Sequence, residues 1–206
     1  MNRIPRLTSL TLAFTVLLAG SAFAQTAAVP RLEIGVLPGG ATLFQSADDG
    51  APDFFTYATV GSVTFNVNRF VGVEGEVGGN FGIDQSIDFQ PTSFGSVSAK
   101  PPHSVSYAGS VVIHPGGRDR RAGVYVAGGG GGLTLFERVE VGVPDDATLF
   151  VGHVGGGAKV AVTDRWGIRA DYRFLFLPTQ DETPLFLGSE DRFGHRFTAG
   201  FFVNVK

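Results

Sequence analysis

The feature that most constrains this chain is an alternation of period two over Trp166 to Phe176. Its even positions are Trp166, Ile168, Ala170, Tyr172, Phe174 and Phe176, and its odd positions include Arg169, Asp171 and Arg173. A strand sends successive side chains to opposite faces. One face of this segment is therefore wholly apolar, while the other carries three charges in a row. The closing segment repeats the pattern, with Phe197, Ala199, Phe201, Val203 and Val205 on one face and Arg196, Thr198, Gly200, Phe202 and Asn204 on the other. Four more segments behave alike. Val71, Val73, Val77, Phe81 and Ile83 oppose Glu74, Glu76 and Asn80; Val105, Tyr107, Val111 and Ile113 oppose Ser104, Ser106 and Ser110. Tyr57, Val63, Phe65 and Val67 oppose Thr56, Ser62, Thr64 and Asn66; Phe150, Val154, Val160 and Val162 oppose His153 and Lys159. Arg31 to Leu37 alternates briefly before Pro38, and Val124 to Phe136 is interrupted by five glycines. Eight strands result.

The connections order these strands. Three are short: 68–70, 115–121 and 163–165. Four are long: roughly 39–55, 84–103, 137–147 and 177–194. Long and short alternate throughout, beginning with long. Barrels of the outer membrane have short periplasmic turns and longer outside loops, and an even strand number returns both termini to the periplasm. The expected fold is all-β, an eight-stranded antiparallel up-and-down transmembrane barrel.

Residues 1–24 read as a cleaved signal peptide. Arg3 and Arg6 form a basic region, Leu10 to Ala19 an apolar one, and Ala22-Phe23-Ala24 the small residues before a cut at Gln25. No Cys stands at that cut, so no lipid anchor is attached there. Residues 25–206 then form a single barrel domain. Without Arg3 and Arg6, 14 basic residues face 19 acidic ones, a balance that argues against a nucleic-acid partner. With no Cys in the chain, disulfides and thiolate metal sites are excluded. The composition fits lipid better than water, with 43% hydrophobic and only 17% charged residues against the usual ~25% charged. No stretch of the mature chain approaches the ~20 apolar residues of a membrane helix.

The layout resembles the outer-membrane β-barrel family of the OmpA-like transmembrane-domain type, including small porin-like surface proteins. The stretches that carry the likeness are Thr64-Phe65-Asn66-Val67-Asn68-Arg69-Phe70-Val71-Gly72-Val73-Glu74-Gly75-Glu76, Trp166 to Phe174, and His195 to Val205. The resemblance implies residence in the outer membrane of a Gram-negative cell, with membrane lipid and the barrel assembly machinery as partners. The chain departs from the family habit of an aromatic last residue by ending in Lys206.

Few residues invite chemistry. Gly128 to Gly132 lacks the Gly-Lys-Ser/Thr ending of a phosphate loop and precedes a β-like segment. It reads instead as a strand whose wall bends or is closely approached. His103, His114, His153 and His195 have no metal-ligand spacing, and no triad is legible. No catalytic residue, cofactor or metal is expected, and no enzymatic activity. The acidic outside loops read as solvated segments, any external ligand being unspecified.

The polar faces are the most informative constellation. Glu33, Glu74, Glu76 and Asp171 supply four acids; Lys159, Arg169, Arg173 and Arg196 supply four bases. If the apolar face meets lipid, all eight point into a lumen only wide enough for side chains to fill. Pairing them is expected, because an unpartnered buried charge costs several kcal/mol. Two readings stay open at this level. The network plugs the lumen of a structural or surface-interaction barrel, or it lines a narrow porin-like channel for small solutes. A soluble lipocalin-like binder would reverse the faces and has too small a cavity for 19 Phe. The lipid-modifying barrel enzyme that the resemblance brings into question would need a Ser on the strand face of His195, where none stands nearby.

Overall fold

A computed structural model of the protein describes residues 31–46, 52–88, 96–118, 120–180, 183–188 and 190–205. The expected signal peptide lies outside the described residues. Among the described residues ten strands are present: β1 (Leu32–Ser46), β2 (Phe54–Asn66), β3 (Val71–Gly82), β4 (Gln85–Asp88), β5 (Ser96–Ala99), β6 (Ser104–Ile113), β7 (Ala122–Leu135), β8 (Ala147–Ala161), β9 (Trp166–Leu177) and β10 (Arg192–Val205). Eight of them close a barrel in the order β1-β10-β9-β8-β7-β6-β3-β2, and every pairing is antiparallel. Each barrel strand has 10 to 15 residues, enough for a tilted strand to cross a bilayer. The expected architecture is the observed one.

The facing follows the alternation. Val63, Val73, Val77, Val124, Val154 and Ile168 stand exposed on the outer wall. Exposed aromatics flank this band at both ends: Phe65, Phe70, Trp166 and Phe201 beside the short turns, and Phe55, Tyr57, Phe81, Tyr107, Phe150 and Phe176 toward the long loops. Such paired belts mark the two membrane–water boundaries.

Three features differ from, or sharpen, the sequence reading. First, β1 does not end at Pro38 but runs on to Ser46. Between Val36 and Gly39 it holds one residue more than β10 opposite, and between Leu37 and Ala41 one more than β2. That β-bulge switches the buried positions from Glu33, Gly35 and Leu37 to Thr42 and Phe44. Pro38 fits there because a bulge requires no ladder N–H from it, and the Tyr57 hydroxyl donates to its carbonyl. A period-two search loses its phase at this point and ends the strand too early.

Second, the segment expected as one long loop, 84–103, contains the β4–β5 hairpin. The Gln85 side-chain amide fixes its base by donating to the Phe55 carbonyl (2.8 Å) while accepting from the Phe55 N–H (3.1 Å). Third, the five glycines lie inside β7. A Cβ at Gly131 would sit 1.9 Å from the Tyr107 carbonyl oxygen, and one at Gly129 equally close to that of Gly109. The neighbouring strand approaches so closely that only glycine fits.

Candidate functional site: the barrel lumen

The inward positions build a layered interior. Nearest the periplasmic turns, Glu33 of β1 accepts from Lys159 Nζ of β8 and from Arg118 Nη2 of the β6–β7 turn, both at 2.5 Å. Above it, Arg169 of β9 reaches across the lumen to β3. Its Nη1 and Nη2 donate to Glu74 Oε2 (2.6 Å) and Oε1 (3.1 Å), a bidentate pair. The same guanidinium donates to Asp171 Oδ2 (2.8 Å) and, through Nε, to the Tyr125 hydroxyl (2.8 Å). Arg173 donates to Glu74 Oε1 (2.9 Å) and to Asp171 Oδ1 (2.8 Å). Thr64 Oγ1 donates to Glu74 (2.8 Å), and the Tyr125 hydroxyl donates to Asp171. Arg196 Nη2 donates to Glu76 Oε1 at 2.6 Å.

Each acid thus meets at least one cation, and all eight charged residues named from sequence lie in this interior. Their burial is nearly complete: Arg173 is 0% exposed, and Glu33 and Glu74 are each 1% exposed. Arg169 and Arg173 of β9 meet Glu74 of β3 because strands four apart in an eight-membered ring face each other. Two members were missed. Arg118 comes from a turn, which carries no facing signal. Tyr125 stands between Val124 and Val126, both exposed on the outer wall, so the phase of β7 would have placed it inside had the glycine run not obscured that phase. Its ring also lies under Lys159 Nζ (4.8 Å) and the Arg169 guanidinium (4.9 Å).

A polar middle layer follows. Thr42 Oγ1 donates to Asn80 Oδ1 (2.9 Å), Asn80 Nδ2 donates to Ser104 Oγ (3.2 Å), and Ser110 Oγ lies 2.7 Å from His153 Nε2. Ser110 and His153 occupy the register positions on either side of Gly129, whose missing side chain lets them meet.

The outer third of the lumen is apolar. Phe44, Phe54, Leu133, Leu135, Leu149, Val151, Leu175 and Leu177 point inward and pack into one buried cluster with Phe186 and Leu187. The last two belong to a short 3-10 turn, Leu185–Leu187, of the connection between β9 and β10. They fold over the mouth, with Phe186 against Phe54 at 4.9 Å between ring centroids and Phe54 stacked on Phe44 at 5.0 Å. Arg192 pins this cover. It is 2% exposed, donates to the carbonyls of Leu187 (3.1 Å) and Pro52 (2.9 Å), and lies over the Phe54 ring. Sequence reasoning expected the ion-pair network but missed this apolar layer, because Leu175 and Leu177 make both faces of β9 apolar at its outer end. Among the described residues no group of His, Cys, Asp or Glu side chains is arranged to hold a metal ion.

The comparisons with known proteins agree with this geometry. A profile described as the outer membrane protein beta-barrel domain matches residues 10–202. Among curated proteins no sequence matches. Among solved structures, Neisserial surface protein A is similar, with a TM-score of 0.58 at 12% identity, over 84% of this chain and 97% of that one. The N-terminal β-barrel domain of OprF from Pseudomonas aeruginosa aligns with a TM-score of 0.47 at 12% identity, over 83% of this chain and 96% of that one. At 12% identity the likeness to Neisserial surface protein A speaks for the fold alone, whereas the profile covers most of the chain. The protein belongs to the outer membrane protein beta-barrel domain family and is an eight-stranded barrel of the bacterial outer membrane.

Proposed function

We propose that this protein is a closed structural and surface-interaction barrel whose lumen carries no solute flux and whose outside loops supply its specificity. The observation that carries this reading is the apolar layer beneath Phe186 and Leu187, stacked on the ion-pair layer below. An ion crossing it would lose its hydration without gaining a polar partner, at a cost of several kcal/mol. Ion-pair pores conduct through continuous polar walls, and here the apolar side chains of Leu133, Leu149, Val151, Leu175 and Leu177 interrupt that wall. Catalysis is not part of the proposal, since Ser110 and His153 pair inside the wall, away from the lipid face. Its partners on this reading are membrane lipid and the assembly machinery that inserts the barrel.

The test is single-channel recording in planar bilayers. The intact barrel should give no steady conductance, whereas Phe186→Asp together with Arg192→Ala should produce open events by uncapping the mouth. Steady ohmic conductance from the unaltered barrel would refute the closed reading in favour of a narrow channel.

A further inference from the structure

The charges outside the lumen are sharply divided between the two ends of the barrel. The four outside connections (47–53, 83–103, 136–146 and 178–191) hold thirteen acidic residues and two basic ones. The inner turns and ends (31, 67–70, 114–121, 162–165 and 206) hold seven basic residues and two acidic ones. Of those seven, Arg118 is committed to Glu33. Arg31, Arg69, Arg120, Arg121 and Arg165 are exposed, and among the described residues none of the five pairs with a carboxylate.

Their backbones are fixed at the feet of strands. The carbonyls of Arg31, Arg121 and Arg165 accept from the N–H groups of Asn66, Ala161 and Asn204. These three residues therefore stand at one level, just beyond the belt of Phe65, Phe70, Trp166 and Phe201. Arg69 lies over the Phe70 ring at 4.5 Å.

We propose that this rim binds anionic phospholipid headgroups of the inner leaflet of the outer membrane. A guanidinium matches a phosphate bidentately, and clustered Arg beside a membrane attracts anionic lipid. Two observations favour a lipid over a soluble polyanion. The arginines are spread around the ring, one just before β1 and the others on three separate turns, rather than gathered into one concave site. Each also stands directly below exposed apolar wall, so a ligand engaging both surfaces carries an acyl tail as well as a charged head. The excess of arginine over carboxylate at this rim selects an anionic headgroup over a zwitterionic one.

The chain has one tryptophan, and Trp166 lies on the lipid face of this rim. Arg165 precedes it, and Arg121 stands at the neighbouring seam, where its carbonyl meets Ala161 of β8. Trp166 fluorescence therefore reports the lipids bound there. The full barrel is reconstituted in phosphatidylcholine vesicles, and quenching by chain-brominated phosphatidylglycerol is compared with quenching by chain-brominated phosphatidylcholine. The expected relative association constant is about five in favour of phosphatidylglycerol at low salt, falling toward one at about 0.5 M salt as screening shortens the field. Arg121→Gln with Arg165→Gln should erase the preference, and the double Lys variant should keep most of it, with heat-modifiable migration unchanged in both. Equal quenching by the two lipids at low salt overturns the proposal, as does a preference that survives high salt or the Gln substitutions. The wild-type salt series decides the matter by itself if a variant does not fold. Binding of soluble polyphosphate to the barrel without any phosphatidylglycerol preference also overturns it, and assigns the rim to a periplasmic polyanion.

Discussion

Arg169→Ala is the most informative single perturbation of the lumen. Arg169 is 2% exposed and donates to Glu74 twice, to Asp171, to Tyr125 and to Ser62. With Arg173, Glu74 and Asp171 it forms a charge-balanced group of two cations and two anions. Removing its guanidinium leaves two buried carboxylates sharing Arg173, whose bonds to both survive. Breaking one partner of a buried ion pair costs on the order of 3–5 kcal/mol. The surviving Arg173 contacts place the expected loss near the lower end, about 3 kcal/mol. Adding Glu74→Gln removes the surplus negative charge and keeps an acceptor for Thr64, so the double variant should regain roughly 1–2 kcal/mol relative to additive behaviour. The assay is urea unfolding of the refolded barrel in lipid vesicles, run on all four members of a double-mutant cycle. A coupling energy within about 0.5 kcal/mol of zero would refute the reasoning, because the two residues would then not share a charge.

Three further outcomes are expected. Gly131→Ala should block or severely slow barrel formation, since its Cβ would lie 1.9 Å from the Tyr107 carbonyl oxygen, whereas Gly75→Ala has nothing within 4 Å and should fold normally; heat-modifiable gel migration compares the two. Val77→Arg, on a residue 60% exposed to lipid, should destabilise the barrel by roughly 2–4 kcal/mol, while the solvent-facing Glu140→Gln should leave the unfolding midpoint unchanged. His114, at the start of the turn after β6, is buried beside Tyr125, and this burial, reinforced by Lys159 and Arg118, holds its imidazole down at about 4. The unfolded imidazole protonates first on acidification. Its contribution is therefore complete above about pH 6.5 and lost progressively toward pH 4, by up to roughly 3 kcal/mol. His114→Gln should flatten that part of the stability–pH curve relative to the wild type.

Much of the fold was legible because strands encode their facing locally. A one-residue slip would turn every side chain to the wrong side, so the alternation along Trp166 to Phe176 and Phe197 to Val205 determined which surface meets lipid. Loop lengths determined strand number and orientation, since chain direction must reverse at each end of the membrane. Those two signals placed Glu74, Glu76, Arg169, Asp171, Arg173 and Arg196 in the lumen before any partner was known.

What only the tertiary structure decided depends on the closed ring. Which cation meets which carboxylate follows from strand stagger and barrel closure, and no local pattern encodes either. The bulge at Pro38 reverses the phase of β1 because two neighbouring strands hold the register on both sides of one extra residue. Arg118 reaches Glu33 from a turn, where side-chain direction has no period. The outer plug is a collective property: Leu133, Leu149 and Leu175 lie on three different strands, and they become a core only when curvature turns their faces together and Phe186 closes the mouth above them.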